Sequence, residues 1–66
     1  MNATINGERR ALAEGITVAE LLRDLDVATT GIAIAVNECV VRRSAFASHA
    51  LADGDAVEII RAVAGG

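Results

Sequence analysis

The chain has 66 residues, 53% of them hydrophobic, and a formal charge of −3. A domain of this size builds one modest core, burying about 60% of the surface its unfolded chain exposes, which leaves no room for a cleft walled by several catalytic loops. Its six basic residues are all arginines, scattered from Arg9 to Arg61 with Phe46 as the single aromatic, and that pattern argues against a nucleic-acid partner.

Ala3 and Ile5 alternate with Asn2 and Thr4, and this first strand ends at Asn6-Gly7, the strongest short signal for a type I′ hairpin turn. Residues 9–13 supply the returning strand, with Leu12 as its clearest apolar contact, and Glu14-Gly15 closes it. Thr17-Val18-Ala19-Glu20 fits a capping box, in which hydroxyl and carboxylate satisfy each other's backbone donors. A helix over residues 18–25 follows. Val18, Leu21, Leu22 and Leu25 recur on one face, and Glu20, Arg23 and Asp24 point outward.

After Gly31, residues 32–36 form a continuous apolar run whose β-branched members favour a strand. Asn37-Glu38 reads as a turn into a strand over 39–42, and Ser44 as the cap of a short helical turn carrying Phe46. Asp53-Gly54-Asp55 is a tight turn. The last strand, 56–62, puts Val57 and Ile59 on one face and Glu58, Ile60 and Ala62 on the other. Its apolar run is too long for an exposed edge, so it must find a partner inside the sheet. The order predicts an α+β domain of the β-grasp, ubiquitin-like kind: a five-stranded mixed sheet with one main helix packed on one face, spanning residues 1–66.

The titratable residues point to no catalytic group and no metal site. Cys39 reads as a small strand residue rather than a persulfide-bearing thiol, since nothing nearby in sequence would lower its pKa. His49 has no second ligand or nucleophile at a useful spacing and reads as a surface or capping residue. Asp53 and Asp55 read as turn residues, and Arg42-Arg43 as a solvated strand end. A lone cysteine makes no internal disulfide, the N-terminal residues lack a secretory pattern, and the longest apolar run is far too short to span a membrane. A soluble, cytoplasmic protein is the expectation.

The informative end is Val63-Ala64-Gly65-Gly66, directly behind the last strand. Glycine has no Cβ, so a diglycine arm enters a channel too narrow for other residues and leaves its terminal carbonyl open to attack. Ile60 and Ala62, emerging beside this arm on the uncovered sheet face, read as a patch for docking a partner. The chain has no lysine, so it offers an activated tail no ε-amine of its own.

Together, the Asn6-Gly7 hairpin, the Thr17-Val18-Ala19-Glu20-Leu21-Leu22 helix start, the Ile34-Ala35-Val36-Asn37 strand, the Asp53-Gly54-Asp55 turn and the Val63-Ala64-Gly65-Gly66 end resemble the ThiS family of thiamine-biosynthesis sulfur carriers. The resemblance covers essentially the whole chain. It implies a stoichiometric carrier rather than an enzyme, with no cofactor of its own. A ThiF-like adenylating partner would use ATP and magnesium to activate the Gly66 carboxylate, and a persulfide sulfur donor would convert it to a thiocarboxylate. That sulfur would pass to a ThiG-like thiazole synthase that forms thiazole phosphate, with Val63, Ala64 and Gly65 threading the partners' active sites. Two alternatives share the fold and tail. One is a MoaD-like carrier for molybdopterin synthesis, typically longer and with a proline before the diglycine; the other is a ubiquitin-like protein modifier.

Overall fold

The computed structural model describes residues 1–61. Strand β1 (Asn2–Ile5) turns at Asn6-Gly7 into β2 (Glu8–Ala11), so the second strand begins one residue earlier and ends two residues sooner than the sequence reading placed it. Asn6 and Gly7 have φ values of 52° and 81°, the paired left-handed geometry that a type I′ turn requires. Helix α1 (Val18–Asp24) follows, then β3 (Ile32–Val36), β4 (Cys39–Val41), a 3₁₀ turn (Arg43–Ala45) and β5 (Ala56–Arg61). The sheet runs β2-β1-β5-β3-β4, with β5 parallel to β1 and antiparallel to β3. The last strand of the chain is therefore the middle strand of the sheet.

The first turn of α1 is held from both sides. Thr17 and Glu20 form the expected capping box, with the Thr17 N–H donating to Glu20 Oε1 at 2.9 Å and the Glu20 N–H donating to Thr17 Oγ1 at 3.2 Å. The bonds from the Thr17 backbone and hydroxyl hold the exposed Glu20 carboxyl below its ordinary value. The two remaining first-turn donors go to a distant segment: Val18 N–H to the His49 carbonyl at 3.0 Å and Ala19 N–H to the Phe46 carbonyl at 2.9 Å. At the other end Asp26, at φ 57°, allows Val27 N–H to reach the Leu22 carbonyl and Asp26 N–H to reach that of Arg23. This is a Schellman closure with aspartate at the position glycine usually takes.

The core lies between α1 and one sheet face. Val18, Leu21, Leu22, Ile34 and Val57 are essentially inaccessible, joined by Ile5, Ile16, Val36, Val41, Phe46 and Leu51. Two expected members, Leu25 and Ile59, sit at the margin, half-buried against this cluster, because the helix ends at Asp24 and β5 is leaving the covered region at Ile59. Ser44 is not the cap it was expected to be. The 3₁₀ turn starts from Arg42, which makes no side-chain cap bond, and the segment is held by the burial of Phe46 and by the carbonyls it lends to α1.

Truncating Leu21 to alanine should cost about 2–5 kcal/mol in equilibrium urea unfolding, a large share of the stability of so small a domain. Glu38 sits at φ 69° in the turn between β3 and β4, where a side chain is strained. Glu38→Gly should therefore raise stability by about 0.5–1 kcal/mol, read as a higher thermal midpoint; an unchanged or lower midpoint would contradict the strain argument.

Candidate functional site

The sheet has one face under α1 and one face open. In-register partners lie on the same face, so the strand pairing fixes what the open side presents. Across β4, β3 and β5 one row reads Val40, Ala35, Glu58, and the next pairs Ala33 with Ile60. Toward the other edge Thr4 stands between Ala56 and Arg9. Among the described residues Val40, 77% exposed, and Ile60, 52% exposed, are the two large apolar side chains left in solvent. Between them stand the two alanines of β3, Ala33 exposed and Ala35 buried, with Glu58 in the same row as Ala35 and Val40.

Ile60 is thus placed as the alternation of β5 required. Val57 is buried on the covered face, Ile59 half-buried beside it, and Ile60 outward, one residue before the strand ends at Arg61. Val40 was not singled out from the sequence, although Cys39-Val40-Val41 carries the signal once β4 is paired: Val41 lies opposite core Ile34, so Val40 must face the other way. Ala62, Val63, Ala64, Gly65 and Gly66 lie outside the described residues. Arg61, on the helix side, is exposed and lines a groove with Arg10, Leu25, Val27 and Ile59 where β5 leaves the body.

The other polar residues are occupied by structure. Asp53 Oδ1 accepts from the Asn2 N–H at 2.8 Å. Asp55 accepts from Asn37 Nδ2 at 2.9 Å through one oxygen and from the Ala52 N–H at 2.8 Å through the other. His49 is half-buried and serves the helix start through its backbone carbonyl. Cys39 is an exposed free thiol at the sheet edge. Among the described residues no three His, Cys, Asp or Glu gather to hold a metal ion, and no helix is long and apolar enough to cross a membrane. The open face therefore bears Val40 and Ile60 beside Glu58, Thr4 and Arg9, with Ile60 one residue before the described end of the central strand.

The model of the ThiS family matches residues 3–66. The chain belongs to the ThiS family. It is 38% identical to the sulfur carrier protein ThiS of Escherichia coli over 66 residues, the full length of both. The thiamine biosynthesis protein ThiS of Geobacter metallireducens, known from a crystal structure, superposes with a TM-score of 0.87 at 39% identity and full coverage of both chains. That likeness places the five-stranded sheet and single helix among ThiS folds, the ubiquitin-like β-grasp anticipated from the sequence. The chain is also 38% identical over its whole length to a fifth of a longer protein, the thiazole synthase of Paramagnetospirillum magneticum.

Because Val40 and Ile60 are outside the core, Val40→Asp and Ile60→Asp should each change the unfolding free energy by no more than about 1 kcal/mol. A loss comparable to that of Leu21→Ala would put the residue on the covered face, since a one-residue slip exchanges the two sides of a strand.

Proposed function

We propose that this protein is the sulfur carrier of thiamine biosynthesis, acting stoichiometrically through the carboxylate of Gly66. The reading is carried by its similarity to a ThiS sulfur carrier over the full length of both, a match that takes in Val63-Ala64-Gly65-Gly66. A carboxylate is a poor electrophile, so an ATP-using, ThiF-like partner first forms the acyl-adenylate and releases pyrophosphate, magnesium serving in the partner's site. A persulfide sulfur attacks the acyl carbon and AMP departs. Thiol cleavage of the resulting acyl disulfide leaves the thiocarboxylate, which passes its sulfur to thiazole synthase. The carboxylate is regenerated and the cycle can repeat. Partnership with thiazole synthase is supported by the occurrence of a segment similar to this whole chain within a protein of that name.

The open face supplies docking in this scheme. Val40 and Ile60 seat the activating enzyme, with the strand delivering Ala62, Val63, Ala64 and Gly65 toward its catalytic centre. Catalysis belongs to the partners, and the cytoplasm, where ATP and reduced thiols are abundant, is the compartment that suits the chemistry.

Incubation with a ThiF-like activating enzyme, ATP, magnesium and a sulfur source should raise the intact mass by one exchange of oxygen for sulfur, located at the C-terminus. Deleting Gly66 should abolish the shift, Gly65→Val should impair it strongly, and Cys39→Ala should leave it intact. Ile60→Asp and Val40→Asp should slow it while the proteins stay folded. A shift that requires Cys39 and survives loss of Gly66 would move the sulfur chemistry onto the thiol and overturn the reading.

A further inference from the structure

Asn6 and Asn37 play matching parts on opposite flanks of β5. Each sits in a two-residue turn with positive φ, at 52° and 51°, and each directs its amide oxygen at a backbone N–H of the central strand. Asn37 Oδ1 accepts from Ala56 at 2.9 Å and Asn6 Oδ1 from Ile59 at 2.8 Å. On the β1 side the ladder runs from Thr4 N–H to the Asp55 carbonyl and from Asn6 N–H to the Val57 carbonyl. The next acceptor along β1 would be the Asn6 carbonyl, but the chain has turned away into the hairpin. The side chain stands in for it, so the last described pairing of β5 toward β1 depends on one asparagine amide.

That asparagine precedes Gly7, and both are exposed to water, with open space around the glycine Cα. Such a dipeptide is intrinsically reactive. The Gly7 nitrogen can attack Asn6 Cγ, forming a C–N bond as the Cγ–Nδ2 bond breaks; the displaced amide takes the Gly7 proton and leaves as ammonia. Water then opens the succinimide at either carbonyl, giving aspartate or isoaspartate. Attack requires the Asn6 backbone to rotate until Cβ eclipses the Gly7 nitrogen, and the side chain to swing over that nitrogen. The left-handed turn opposes the first requirement and the Ile59 bond opposes the second.

We propose that Asn6 is a hydrolytic modification site gated by the end of β5: closed while Ile59 holds the amide oxygen, and open when that end of the strand loosens. The proposal rests on no assignment of function. The two products have different consequences. Aspartate keeps an oxygen for Ile59. Isoaspartate routes the main chain through Cβ, adds an atom to a two-residue turn, and withdraws the acceptor from the strand that leads to the diglycine. Asn37 is the internal control, since the residue after it is a glutamate, whose side chain hinders attack by its nitrogen where glycine would not, and its Nδ2 is already bound to Asp55.

The full chain is held at mildly alkaline pH, folded and in urea, and converted sites are located by peptide mapping and isoaspartyl methyltransferase labelling. Conversion should be confined to Asn6, at least about tenfold slower in the folded protein than in urea, with Asn37 intact in both. In subdenaturing urea the conversion rate should rise in parallel with hydrogen exchange of the Ile59 amide. Asn6→Asp should retain protection of that amide, whereas the purified isoaspartate form should lose it. Equal rates in folded and unfolded chains, conversion independent of Ile59 exchange, or a protected Ile59 amide in the isoaspartate form would each overturn the proposal.

Discussion

Every part of this fold depends on β5 having a hydrogen-bonded neighbour on each side. A central strand cannot leave its backbone polar groups unpaired without a cost comparable to a lost hydrogen bond for each. The β1 side runs out first, because β1 has four residues and turns away while β5 continues along β3. Asparagine side chains complete the pairing at both flanks, Asn37 at the start of β5 and Asn6 toward its end. Asp55 then fixes Asn37, and Asp53 ties the preceding turn to the first strand. Polar residues that read as turn residues in the linear sequence are thus committed to seating one strand.

The helix is tied to the sheet by more than its apolar face. Seven residues make a helix too short to persist alone, and its stability must come from packing and from satisfying its ends. The segment between β4 and β5 does both. Phe46 and Leu51 enter the core, the Phe46 and His49 carbonyls receive the first helical N–H groups, and Leu51 N–H returns a bond to the Ile16 carbonyl. An apparently irregular connection is the clamp that joins the covered side of the sheet to α1, and it leaves the other side free for Val40 and Ile60.

What could be read in the sequence was whatever the chain decides locally. The Asn6-Gly7 turn and the Thr17 to Glu20 box are contacts within four residues, and both formed as their chemistry required. The alternation of Val57, Ile59 and Ile60 needed only a strand of known period, so the outward placement of Ile60 was legible too. The roles of Ile16, Phe46 and Leu51 were not, because single apolar residues in irregular segments carry no periodicity and are recruited by partners far along the chain. Ser44 misled for the same reason: its segment is held from outside rather than by its own cap. Val40 lay between these cases, since two adjacent valines become one core residue and one surface residue only after the turn at Asn37-Glu38 sets the register. The family that the assembled motifs resemble is the one to which the chain belongs.

The parallel pairing of β1 with β5 has a consequence for traffic around the molecule. Two strands that run the same way carry the chain in at one pole of the domain and deliver it at the other. Met1 lies beside Leu12, at the pole where the Asp53-Gly54 turn meets Asn2, whereas Arg61 leaves from the pole marked by the start of β3. Anything attached ahead of Met1 therefore hangs from the pole opposite the one at which Arg61 ends the central strand.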